Sequence, residues 1–196
     1  LTMTCGRRPV AQFHRSIFGR VAVPDFEGMY YVDSGTPSTD GTPSTDGAPT
    51  LVFVHGFCCD HSDWDPVIAN ADGPTRTIAV DLPGHGRSQR DETTIASFGA
   101  AVAALVEHLA LSNVVLVGHS MGCRVVAEAE SRVFDRVVGV VFVDGSRAAT
   151  DAGALPAMRE AVAALGFAAF AEGLFRQMFT ELTDGATQER VVARTL

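Results

Sequence analysis

Four nearly uninterrupted apolar runs, with helix-like segments between them, are the feature of this sequence that most constrains its fold. The runs cover residues 50–56, 75–84, 113–120 and 136–145. Strands that lack polar alternation are buried on both faces, as happens in a parallel sheet covered on both sides. The four runs therefore predict a buried, mostly parallel sheet.

The segments between these runs have the periodicity of helices. In residues 94–110, apolar side chains recur at three- and four-residue spacing along one face, and residues 121–133 form a second predicted helix. Strands that alternate with helices predict an α/β fold whose sheet carries helices on both faces. Two further strand candidates, residues 16–23 and 29–35, precede this pattern.

The alternation of predicted strands and helices ends after residue 146. Residues 147–196 are rich in Ala and Phe, read as helical and hold no strand candidate. We therefore expect a core in residues 1–146 and a separate helical region in residues 147–196.

The composition of the chain limits the kinds of partner that it can bind. The net charge is −8 and no cluster of Lys and Arg occurs, which argues against a nucleic-acid or anionic-membrane surface. No run approaches the roughly 18 apolar residues that would span a bilayer. The four cysteines have neither metal-site nor disulfide-framework spacing, which indicates a reducing cytoplasm. We expect a small-molecule substrate.

The sequence VVLVGHSMGCRVV, residues 114–126, carries the candidate chemistry. An apolar strand ends in Gly118-His119-Ser120-Met121-Gly122, and a predicted helix follows at once. This spacing is typical of a strained turn that lifts a serine above the sheet edge, with glycines where side chains would clash. A serine hydroxyl is a poor nucleophile unless a base takes its proton, so the chain should also supply a base.

Three further motifs accompany this turn in a fixed order. They are HGF at residues 55–57 with Trp64 following, DLPGHGRS at 81–88, and VFVDGS at 141–146. Their combination and spacing resemble the α/β-hydrolase fold family, and the resemblance covers roughly residues 16–146. It implies a helical cap or lid in residues 147–196.

The resemblance also implies roles for individual residues. Ser120 would be the nucleophile, and the backbone N–H groups of Phe57 and Met121 would form the oxyanion hole. The supporting motif residues are His55, Gly56, Gly118, His119 and Gly122. No metal-ligand spacing or phosphate-binding loop occurs, so no cofactor is implied.

The base is missing from the expected part of the sequence. The family order is nucleophile, acid, histidine, yet none of residues 121–196 is a histidine. All six histidines precede Ser120, and His85 is the first, weak candidate among them. The family places its histidine after the last strand, so we expect a C-terminally truncated chain that lacks the last core strands. Asp144 is the one family-compatible acid, unless it only caps its loop.

Two hypotheses about function follow. The first is a serine hydrolase that acts on a small, mostly apolar ester or related acyl compound, although haloperoxidase-like or C–C hydrolase chemistry would use the same parts. The second is a truncated or non-catalytic scaffold that binds a ligand or partner. The missing histidine predicts weak or absent activity, and the missing strands predict self-association through an uncovered sheet edge. The phenylalanines of the helical region would line an acyl pocket or only pack its helices; they are Phe167, Phe170, Phe175 and Phe179.

Overall fold

The computed structural model describes residues 21–35, 48–70, 75–89, 92–145 and 154–195. The predicted strand residues 16–20 and the predicted domain boundary at residue 146 lie outside this part of the chain. The described residues fall into two compact units, one of residues 21–145 and one of residues 154–195.

The first unit is built on a six-stranded sheet in the order β1-β2-β4-β3-β5-β6. The strands β3, β4, β5 and β6 run parallel, whereas β1 and β2 are antiparallel to their neighbours. The sheet is therefore mostly parallel, as predicted. The strand bounds are β1 Val21–Phe26, β2 Met29–Asp33, β3 Thr50–Val54, β4 Thr77–Val80, β5 Val114–His119 and β6 Val137–Val143.

Helices follow the strands in this unit. A short 3-10 helix, His61–Trp64, leads into α1, Asp65–Ala69, and the longer helices are α2, Ile95–His108, and α3, Met121–Arg132. The predicted helices at 94–110 and 121–133 are confirmed, whereas the two short elements after β3 were not predicted. Asp60 caps the 3-10 helix by accepting from the backbone N–H of Ser62 at 2.8 Å.

Both faces of the sheet are buried, which explains the apolar runs. Successive strand side chains point to opposite faces, so Val52 and Val54 join one cluster and Phe53 joins another. The larger cluster packs the sheet against α2 and α3, and the smaller one includes Trp64 and Val117. The prediction of helical layers on both faces is thus confirmed.

The second unit contains helices only. They are α4, Ala154–Leu165, α5, Phe167–Met178, and α6, Gly185–Thr195. Gly166 separates α4 from α5 with φ +79°, a conformation that favours glycine, and Ala171 is fully buried. None of the described helices combines the length and hydrophobicity needed to cross a membrane.

Candidate active site

Ser120 occupies the turn between β5 and α3. Its φ of 50° and ψ of −114° place a non-glycine residue in a sparsely populated region, which costs on the order of 1–3 kcal/mol. The backbone N–H of Ser120 donates to the Val143 carbonyl at 2.9 Å, which holds the turn against the end of β6. The residue is exposed, so the strained turn presents the serine to solvent.

The two glycines of the turn are required by close packing. A Cβ atom at Gly122 would lie 2.5 Å from the Val54 carbonyl oxygen and 2.7 Å from that of His55. A Cβ atom at Gly118 would clash with the Gly122 carbonyl oxygen. The start of α3 therefore lies directly against the end of β3.

The loop after β3 lies beside Ser120. A Cβ atom at Gly56 would be 3.3 Å from Ser120 Cβ and 3.0 Å from His119 Nδ1. The indole ring of Trp64 stands edge-on to the His119 ring, with the centroids 6.4 Å apart. The structure thus brings the loop that carries Phe57 next to the serine turn, although the two motifs are far apart in sequence.

His55 is a structural histidine. It is fully buried, its Nδ1–H donates to the Gly56 carbonyl at 2.7 Å, and its Nε2 accepts the Leu82 backbone N–H at 2.9 Å. These two bonds fix the neutral tautomer, and burial lowers the pKa of His55. His55 therefore ties the loop after β3 to the loop after β4, which leaves both ring nitrogens occupied.

Asp81 also connects the loop after β3 to the loop after β4. Its buried carboxylate accepts the backbone N–H and the Nδ1–H of His61, both at 2.7 Å, and the Arg87 N–H at 2.8 Å. Burial lowers the pKa of His61, but the hydrogen bond and charge of Asp81 outweigh it, so this pKa is raised. The role of His61 was not predicted from the sequence. The available signal was Asp60, which stands at the N-cap position of a short helix that has Asp63 in its first turn.

Asp60, His61 and Asp81 also form the sort of cluster that can hold a metal ion. Each of them offers one potential ligand atom, and these atoms lie within 4.8 Å of one another. However, Asp81 Oδ1 already accepts a hydrogen bond from the Nδ1–H of His61, and Asp60 Oδ1 already accepts one from the backbone N–H of Ser62 as the cap of the 3-10 helix. The contacts therefore account for this cluster as a loop anchor.

His85 packs rather than contacts the serine. Its Nδ1–H donates to the Pro83 carbonyl at 3.2 Å, and its ring lies 5.1 Å from that of His55 and 5.8 Å from that of Phe98. Burial and the neighbouring His55 lower the pKa of His85 to about 4. A base with so low a pKa is protonated only in acid.

The low pKa of His85 predicts an acid-sensitive fold. The unfolded chain takes up this proton near pH 6.5 and the folded chain only near pH 4, so His85 costs stability as the pH falls between these values. We expect a slope of up to about 1.4 kcal/mol per pH unit from this residue. Urea denaturation of wild type and His85→Gln from pH 7 to pH 4.5 measures it. His61 remains in both proteins, so its contribution to the pH dependence cancels in the comparison. A difference in stability between the two proteins that stays constant with pH would contradict the prediction.

The structure brings Asp144 close to Ser120 through the backbone. Asp144 follows the Val143 carbonyl that accepts the Ser120 N–H, it is exposed, and its φ is 49°. Within the described residues, no histidine ring and no carboxylate is hydrogen-bonded to the Ser120 hydroxyl, and His14 lies outside them. The described part of the chain therefore assembles the turn and its neighbouring loops without a bonded base.

The mostly parallel sheet, the helices on both of its faces and the serine at a strained strand-to-helix turn together define the class of the protein as α/β. The chain belongs to the alpha/beta hydrolase family, whose family profile matches residues 51–195. The fold is shared with a thermophilic esterase from Thermogutta terrifontis at a TM-score of 0.68 and 24% identity, covering 90% of this chain and 64% of the esterase. Bromoperoxidase from Bacillus anthracis has the same TM-score at 23% identity, with 85% and 63% covered.

Sequence relatives match part of the chain. The chain is 34% identical over 96 residues to 2-(acetamidomethylene)succinate hydrolase of Mesorhizobium japonicum, covering 48% of this chain and 34% of that protein. It is 33% identical over 105 residues to Protein PHYLLO, chloroplastic, of Arabidopsis thaliana, covering 48% of this chain and 6% of that protein. The chain thus spans about a third or less of these relatives.

Proposed function

We propose that this chain carries the nucleophile and oxyanion-binding parts of a serine hydrolase that acts on small, mostly apolar esters or related acyl compounds. The observation that carries the proposal is the strained, exposed Ser120 at the start of α3. Family membership supports the reaction class, and the hydrolase and esterase names among the relatives agree with it. We further propose that residues 147–196 belong to a helical cap or lid region.

The chemistry assigns each part a step. The Ser120 hydroxyl oxygen attacks the carbonyl carbon while a base takes its proton, and the carbonyl oxygen becomes the oxyanion. The Met121 N–H lies in the first turn of α3, where it has no acceptor within the helix, and it would donate to this oxyanion with the Phe57 N–H. The protonated base gives its proton to the departing oxygen, which leaves as the alcohol, and the remaining acyl-serine is then hydrolysed by water to the acid and free Ser120.

The base and the acid are the open roles in this mechanism. Asp144 is our candidate acid because its backbone lies beside Ser120, and a loop-capping role is the alternative. With no histidine among residues 121–196, we expect weak or absent turnover of common esters by this 196-residue chain. Added imidazole should substitute in part for the missing base.

Fluorophosphonate labelling tests the nucleophile. We expect slow labelling of the wild-type chain, faster labelling when imidazole is added, and no specific labelling of Ser120→Ala, because the probe reports an activated serine hydroxyl. Ser131→Ala removes an exposed serine of α3 and should label like the wild type. Peptide mapping that finds the label elsewhere would refute the assignment of Ser120.

A second candidate function is that of a non-catalytic scaffold that binds a small ligand or a partner. The lack of any described histidine bonded to Ser120 favours it. Absence of labelling with and without imidazole, together with retained folding, would select this candidate.

We also propose that the chain is cytoplasmic and self-associates. The four cysteines lack the spacing of a disulfide framework, which supports a reducing compartment. Among the described strands, β6 lies at one edge of the sheet and has exposed apolar side chains, which supports self-association.

A further inference from the structure

The thiol of Cys123 lies beside Ser120 and has no role in the proposed mechanism. Cys123 belongs to the first turn of α3 and is fully buried. Its Sγ atom lies 3.1 Å from the Gly118 carbonyl oxygen and 3.6 Å from that of Val143. A carbonyl oxygen can only accept a hydrogen bond, so the thiol is the donor, and Gly118 is its nearer acceptor.

The thiol of Cys123 keeps the proton that this bond requires. A cysteine at a helix N-terminus often has a lowered pKa, because that end of the helix favours the thiolate. At Cys123 burial has the larger effect and raises the pKa of the thiol. Cys123 is therefore a neutral S–H donor at physiological pH.

The hydrogen bonds of Cys123 reach both sides of Ser120. Its backbone N–H donates to the Ser120 carbonyl at 3.0 Å, and its thiol reaches back across the turn to Gly118 in β5. The Val143 carbonyl, which lies near the same thiol, also accepts the Ser120 N–H. The side chain of Cys123 thus links the first turn of α3 to the ends of β5 and β6.

The thiol is also tightly packed. A Cβ atom at Gly145 would lie 2.6 Å from Cys123 Sγ and 2.7 Å from the Ser120 carbonyl oxygen, so the chain after β6 packs directly against the thiol and the turn. A strained backbone conformation such as that of Ser120 persists only where the surrounding contacts over-determine it. The hydrogen bonds and the packing of Cys123 are contacts of this kind.

We infer that Cys123 is a positioning residue, whose thiol holds Ser120 in its strained, exposed conformation by linking α3 to the end of β5. The inference rests on the nucleophilic role proposed for Ser120 and adds the residue that maintains its orientation. Without the thiol, the turn can relax toward an ordinary φ and displace the serine hydroxyl. A misplacement of about 1 Å can lower a reaction rate on the order of a hundredfold.

Fluorophosphonate labelling of the full chain in the presence of imidazole tests the effect on reactivity. We expect Cys123→Ala to label at least about tenfold more slowly than the wild type, and Cys123→Ser, which retains a donor, to recover most of the rate. Val126→Ala is the matched control, because it removes buried atoms from the core face of the same helix and should lower the urea midpoint without slowing labelling. Labelling of Cys123→Ala at the wild-type rate, or equal slowing in Cys123→Ser, would overturn the inference.

A double-variant cycle of stability tests the same role without any labelling. Ser120→Gly relieves the strain at φ 50° and ψ −114°, because glycine adopts this conformation readily. In Cys123→Ala the turn has already relaxed, so Ser120→Gly should shift the urea midpoint upward by less than in the wild type. The effect of glycine on the unfolded chain is the same in both backgrounds and cancels. Equal shifts would overturn the inference. An unreactive wild type would refute the proposed nucleophile alone, since this cycle would still decide the role of Cys123.

Discussion

Replacing Gly122 with alanine is expected to lower the free energy of unfolding of the first unit by about 3 kcal/mol or to prevent folding. The added methyl group would lie 2.5 Å and 2.7 Å from two backbone carbonyl oxygens, those of Val54 and His55. Val54 lies in β3 at the centre of the sheet, paired on both sides, so this backbone cannot yield without breaking strand pairing. Urea denaturation followed by circular dichroism measures the loss.

Gly139→Ala is the matched control for this variant. Gly139 lies in the same unit, in β6, and a Cβ atom there would meet the Val115 side chain at 3.7 Å, an ordinary contact. We expect its stability to stay within about 1 kcal/mol of the wild type. If Gly122→Ala were as mild as Gly139→Ala, the close approach of α3 to the end of β3 would be wrong.

The sequence predicts the sheet well because burial on both faces produces long apolar runs. The runs at 50–56 and 113–120 contain β3 and β5 with at most two residues of excess at either end. The turn between β5 and α3 could also be predicted, since Gly118 and Gly122 are needed at close backbone contacts that leave no room for a side chain. These features are local in sequence, so local pattern reveals them.

Features that depend on contacts between distant residues were not predictable. His61 meets Asp81 across twenty positions, and no periodicity connects a polar residue in one loop with a polar residue in another. The short elements 61–64 and 65–69 were missed because a few residues give too little pattern. In the helical region, the break at Gly166 depends on a positive φ that composition alone does not specify.

Replacing Asp81 with alanine is the second large expected effect, a loss of about 3–5 kcal/mol in the free energy of unfolding. The carboxylate is completely buried, and its removal would leave the His61 N–H, the His61 Nδ1–H and the Arg87 N–H without their acceptor. The loops after β3 and β4 would lose a common anchor. Denaturation at pH 7 measures the effect.

Asp60→Ala is the matched control for Asp81→Ala, because it removes an equal charge from the same neighbourhood. Asp60 is only half-buried and caps the 3-10 helix, so its loss should cost about 1 kcal/mol. Asp81→Asn should also bring the pKa of His61 down, since the hydrogen bond and charge that raise it come first from Asp81. Proton NMR titration of the His61 ring measures this shift. If the His61 pKa stayed raised, or Asp81→Ala cost no more than Asp60→Ala, Asp81 would not be the residue that anchors the loop after β3 to the loop after β4.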